Sequence, residues 1–221
     1  MYRIWLLFFI LIFVMRLIWI YQSGKIDFIP LRNSINRGFD KIYRHLLFSG
    51  FKEDLFKRLR YFFISVSLIL FLLLALTGFI PVLILGERLS GLLLIIHVTI
   101  APFFVVALML TAVFWAHFQQ FAHSDSIYLK ELRLKKEKQN PSKNTQIFWQ
   151  KLCFWLFLVF SVPAILSIIV SMFPFFGTDG QIALLDIHRY SVLILMVISL
   201  FYSDVLMRSN IKTLKEDQVK K

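Results

Sequence analysis

Cysteine occurs once in the 221 residues, as Cys153 inside an apolar run. That excludes an intrachain disulfide, a cysteine-ligated iron–sulfur cluster and the C-x-x-C-H attachment of a c-type haem, so a redox group would have to rest on other ligands. Acidic residues are scarce too: 13 Asp and Glu stand against 25 Lys and Arg, and the long apolar runs contain only Asp186 and Asp204, both near helix ends. A relay of carboxylates through the bilayer, which an ion-coupled transporter would need, is missing. Little polar sequence remains for a soluble catalytic domain. The net charge of +12 lies mostly in loops that set topology, so no nucleic-acid partner is expected.

What is present is apolar mass: 58% hydrophobic residues, 17% of the chain aromatic. Runs at 4–21, 61–85, 91–118, 148–173 and 182–206 are each near the roughly 20 residues that cross a bilayer. The expected architecture is all-α: an integral membrane four-helix bundle, up-down-up-down, over 61–208, preceded by an additional N-terminal membrane helix over 1–22, about five spans in all. The first run continues in bulky residues to Tyr21, without the small-residue site of a cleaved signal. Its Arg16 is expected to snorkel to an interface; a helix lying on the membrane surface is the alternative. Residues 23–60 form a basic cytoplasmic or interfacial segment in which FDKIYRHLLFSGF is amphipathic and His45 is read as a surface residue. The remaining polar parts are a loop at 119–147 and a tail at 209–221.

The turns GERLS and PFFGTDGQ are short enough to make the helices they join antiparallel neighbours. Segments 22–60, 119–147 and 207–221 hold nearly all the lysine and arginine, whereas these two turns hold only Glu87, Arg88 and Asp179. The positive-inside rule therefore makes both basic loops and the C-terminus cytoplasmic, in a multi-pass protein of the bacterial cytoplasmic membrane.

In that topology His97 and His188 lie at matched depth, each about 10 Å inside the outer boundary. An intramembrane histidine is costly without a partner. Two neutral imidazoles at one level of a bundle suit the axial ligation of one haem b; a hydrogen-bonded histidine network is the other reading. Arg88 and Arg189 are candidates for the haem propionates, or else ordinary interfacial anchors. A second haem would need ligands about fourteen residues further along, some 21 Å deeper. Those positions are Thr111 and Tyr202. His117 is about 200° round the helix from His97, and it and His123 read as boundary residues.

The ALTGF motif at Gly78, GERLSGLLLIIH ending at His97, QIFWQK with Phe148 and Trp149, and IHRYSVLIL from His188 together resemble the membrane cytochrome b (gamma) subunit of bacterial formate dehydrogenase, within the b-type subunits of respiratory oxidoreductases. The resemblance covers about residues 60 to 208. It implies two haems in the family, with His97 and His188 matching the outer pair, while the inner ligand positions fall near Ile64 and at Tyr202. One haem retained and one lost is the implication. The expected function is a b-type cytochrome subunit that passes electrons between the quinone pool and an extracytoplasmic iron–sulfur or multihaem partner. Quinone contacts have only Tyr202 and His117 as candidates. A haem-free membrane anchor or scaffold subunit is the alternative.

Overall fold

The computed structural model describes residues 55–86, 89–123, 143–173 and 175–219, together with scattered positions between Ile4 and Ile18 and between Asp125 and Lys130; side chains are described as far as Leu206. No strand occurs among them. Four helices follow one another: α1 (Leu55–Ile80), α2 (Gly91–Ala116), α3 (Lys143–Ser171) and α4 (Gly177–Val219). Together with the short helical turns that follow α1 and α2, they provide four stretches long and apolar enough to cross a bilayer: Phe56–Ile84, Gly91–Gln119, Thr145–Ser171 and Gly177–Leu206. Their outward side chains are apolar: Leu68, Phe103 and Val113 are 58%, 65% and 72% exposed. A water-soluble protein would bury most of these, so the chain is a membrane protein with transmembrane helices and lipid as its surroundings. The described positions between Ile4 and Ile18 are helical as well. A fifth span there falls largely outside the described residues, as do most of segment 23–60 and loop 119–147.

The helix ends follow from local chemistry. Pro81 cannot donate to the α1 ladder, and there the helix widens into one π turn, Pro81–Leu85, closed by Gly86 in the left-handed region at φ 72°. Pro102 and Pro163 lie inside α2 and α3. Membrane helices tolerate such prolines because neighbouring groups take up the freed carbonyls. The fourth helix is longer than its apolar pattern. It begins at Gly177, within the stretch expected to be a turn, and runs through the expected tail to Val219. Asp179 in its first turn complements the helix dipole, and after Gly180 no glycine or proline interrupts the chain.

The chain divides into two compact units, the first containing α1 and α2 and the second α3 and α4. Within the first, contacts run in opposite directions along the two helices. Tyr61 meets Trp115, Phe63 stacks on Phe114 with centroids 5.5 Å apart, Ser67 bonds Thr111, Phe71 meets Phe104, and Thr77 bonds His97. Rising numbers meet falling numbers, so the pair is antiparallel, with Phe104, Ala107, Leu108 and Thr111 buried. The second unit pairs Trp149 with Phe201 and Ala164 with His188, again antiparallel. Ser161, Ala164 and Ser167 are buried along α3. Their small side chains permit the close approach that lets a side chain of α4 reach an α3 backbone carbonyl.

Candidate functional site

Each unit holds one histidine inside its helical pair. His97 is the seventh residue of α2, half-buried, with Nδ1 2.9 Å from Thr77 Oγ1. The Thr77 hydroxyl also lies 2.8 Å from the Leu73 carbonyl and 3.2 Å from that of Leu74. A hydroxyl has one proton, and a carbonyl can only accept. The proton is therefore spent within α1, and the hydroxyl must accept from His97. That arrangement favours the Nδ1–H tautomer of His97, with the lone pair on Nε2.

Gly78, the next residue, explains how the ring reaches this position. A Cβ at Gly78 would stand 3.3 Å from His97 Cε1 and 3.7 Å from Nδ1. Glycine leaves the imidazole room to approach α1 closely. The Thr-Gly pair in ALTGF thus has two physical duties: one residue accepts the ring's proton and the other clears its path.

His188 reaches the same state by another route. Its Nδ1 lies 2.8 Å from the backbone carbonyl of Ala164. Since that oxygen cannot donate, Nδ1 carries the proton and Nε2 again carries the lone pair. Tethering one ring nitrogen through N–H to an oxygen acceptor is the usual arrangement of metal-ligating histidine: it orients the ring and raises the basicity of the other nitrogen. Each imidazole thus has, within its own unit, the donor chemistry of a haem ligand. His97 stands six residues into the span Gly91–Gln119 and His188 eleven residues into the span Gly177–Leu206. Among the described residues no group of three or more His, Cys, Asp or Glu gathers as a bare metal ion would need.

The other expected site residues lie as follows. Arg189 Nη1 pairs with Asp186 Oδ1 at 2.9 Å, one turn away on the same helix, and both side chains are substantially exposed. A propionate would share Arg189 with this carboxylate. Arg88 lies outside the described residues, as does His45. His117 opens the short 3-10 turn His117–Gln119 that follows α2, its ring edge-on to Phe118 at 5.5 Å. His123 is exposed, as expected of a boundary residue. Tyr202 is half-buried on α4, next to Phe201, whose ring meets Trp149 at 5.6 Å. Thr111 is buried; its hydroxyl donates to the Ala107 carbonyl and accepts from Ser67 at 2.8 Å.

Two ion pairs go beyond the sequence expectations. Arg16 Nη2 lies 3.0 Å from Asp204 Oδ2, with the carboxylate side chain 5% exposed. Arg16 therefore has a partner within the protein in place of a free path to the interface. The sequence does carry a signal for it: a cation and an anion in apolar runs are each expensive alone, so each is the other's natural partner. Asp125 Oδ2 accepts from Lys151 Nζ and from the Ala122 N–H, both at 2.7 Å. Burial alone would raise the Asp125 carboxyl, but the Lys151 and Ala122 bonds and the Lys151 charge outweigh it and hold the group below its ordinary value.

No protein-family model, curated protein or solved structure matches the chain.

Proposed function

We propose that this protein is the membrane-embedded b-type cytochrome subunit of a respiratory oxidoreductase, with His97 and His188 as the axial ligands of a single haem b. The observation that carries the reading is the shared tautomer. Both intramembrane histidines spend Nδ1–H on an oxygen of the neighbouring helix, Thr77 Oγ1 in one case and the Ala164 carbonyl in the other, which leaves each Nε2 a lone pair. When bound, the haem would supply one-electron chemistry. The chain's part is to present two neutral imidazoles, to hold their orientation and to keep the surroundings apolar.

In this reading the four helices form an up-down-up-down bundle, the N-terminal apolar stretch is a fifth span and the basic loops face the cytoplasm. The Arg16–Asp204 pair supports a docked first helix, because it ties residue 16 to the last turns of the apolar part of α4. The protein passes electrons between quinone and an extracytoplasmic iron–sulfur or multihaem subunit. The absence of a histidine at Thr111 and Tyr202, with Thr111 committed to Ala107 and Ser67, supports one haem in place of two. Tyr202 and His117 remain the quinone candidates.

The test is a dithionite-reduced minus oxidised spectrum of the purified full chain supplied with haem. A b-type alpha band is expected, lost in H97A and in H188A while the protein still inserts and folds. A folded wild-type protein without that band would leave the same hydrogen bonds as simple helix-to-helix ties, and the haem-free anchor would then be the function.

A further inference from the structure

At the end of the α1–α2 pair away from its connecting turn, one arginine is held in an unusual way. The Arg60 guanidinium carbon lies 4.2 Å from the ring centroid of Phe118, 5.0 Å from that of Trp115 and 5.2 Å from that of Tyr61. Trp115 Nε1 donates to the Arg60 carbonyl at 3.3 Å, so one of these rings is tied to the residue whose cation it covers. Arg60 Nε is buried with no hydrogen-bond partner. Among the described residues no carboxylate pairs with Arg60. We propose that this aromatic-boxed Arg60 binds the phosphate of an anionic phospholipid headgroup.

The chemistry follows from how the rings divide the guanidinium. Aromatic contact satisfies its faces through cation–π attraction but offers nothing to its in-plane N–H donors, which need oxygen acceptors. A planar guanidinium fork matches a phosphate, which can take two N–H bonds at once. The box also reduces the entropic cost of capture, because a long side chain that would otherwise lose its rotamers on binding is held beforehand.

The position points to lipid rather than free anion. Arg60 is the fifth residue of the span Phe56–Ile84, about 6 Å along it. That is headgroup depth if the span starts at the membrane boundary. Deeper along the same two helices the outward side chains are apolar: Phe62 is 46%, Leu68 58% and Val113 72% exposed. Acyl chains would cover those surfaces, and inorganic phosphate has nothing to place there. The helical turn that holds Arg60 reads KRLR, so a headgroup bringing its own ammonium would add a cation to a basic turn. An anionic headgroup is favoured for that reason. The inference stands whether or not the protein holds haem.

The test uses the full chain in detergent micelles, with phosphatidylglycerol, phosphatidylcholine and inorganic phosphate as separate probes, read by native mass spectrometry and by thermal unfolding. Wild-type protein should retain a phosphatidylglycerol that R60Q binds at least ~10-fold more weakly, the scale of a charge-assisted fork. Phosphatidylcholine should be retained no better by wild type than by R60Q, and millimolar phosphate should not displace the lipid. Equal retention of phosphatidylglycerol by wild type and R60Q overturns the site. Displacement by phosphate, or equal retention of phosphatidylcholine, overturns the lipid or the anionic assignment respectively. If R60Q does not fold, R60K keeps the charge and loses the planar fork; it must bind several-fold more weakly than wild type, and unchanged binding by R60K refutes the proposal.

Discussion

Replacing Thr77 by valine tests the step on which the functional reading turns. Valine has nearly the volume and branching of threonine, so packing against α2 is preserved while the acceptor for His97 Nδ1–H disappears. Two losses are expected. The hydrogen bond itself contributes about 0.5–1.5 kcal/mol, and a donor left without an acceptor in a half-buried place raises the cost to about 1–3 kcal/mol. The imidazole can avoid this by moving its proton to Nε2, the nitrogen required for iron. Removal of such an orienting partner weakens metal binding by about 10–100-fold, equivalent to about 1.4–2.7 kcal/mol. Haem titration into purified apoprotein, followed by the b-type absorbance, measures this directly, and T77S should restore most of the affinity because its hydroxyl can make the same bonds. T77V binding haem within twofold of wild type would refute the tautomer argument, since His97 would then need no acceptor.

Gly78→Leu should impair haem binding more than T77V does, because a Cβ already stands 3.3 Å from His97 Cε1 and the added branch has no room beside the ring; a spectrum unchanged from wild type would refute the close packing. R16M should lower thermal stability more than D204N does, since it strips a partner from a carboxylate 5% exposed, whereas D204N leaves an arginine whose side chain is 42% exposed. The expected loss in R16M is about 2 kcal/mol, below the ~3–5 kcal/mol of a fully buried pair because one partner is only partly buried. Asp125 gives a pH signature. Its folded pKa lies below its ordinary value of 3.8, so its stabilising contribution is full above that value and disappears as pH falls through the lowered folded pKa. Thermal unfolding of wild type and D125N should therefore differ at neutral pH and converge in acid; a constant difference down to pH 2 would contradict the assignment.

The spans are legible in the sequence because an apolar run of bilayer length has almost no stable place outside a bilayer, and the turn at GERLS is bounded by Gly86 and Gly91 in left-handed backbone. What the hydropathy pattern does not show is where helix continues without it. Residues 207–219 are polar and suggest a tail, yet nothing in them stops α4, since a helix ends at a breaker or an unsatisfied turn and not at a change of polarity. The site is legible in proportion to how far its chemistry resides in side chains. His97 and His188 stand out as polar groups in apolar surroundings. Asp204 and Arg16 also stand out as lone charges in apolar runs, but they lie nearly the whole chain apart and only folding brings the two together. Arg60 reads as one basic residue in a basic segment, because its cage comes from Trp115 and Phe118, which lie beyond the next turn.

The two histidine tethers differ in a way that matters for tuning. Thr77 is a side chain, so substitution can remove the acceptor of His97, weaken it or replace it with a carboxylate. The acceptor of His188 is a backbone carbonyl that every residue at position 164 would supply, and no sequence pattern marks it. Substitution there acts only through shape: Ala164 is 5% exposed, and a larger side chain would push α4 away and lengthen the bond. One histidine is thus held by an acceptor that single mutations can vary, and the other by one that they can disturb only by spreading the helices. If the reading as a b-type cytochrome holds, graded substitutions at Thr77 should shift the reduction potential in steps with the fold intact, while Ala164→Leu should lower haem content and stability together. The opposite pattern would mean that the two tethers do not share one role.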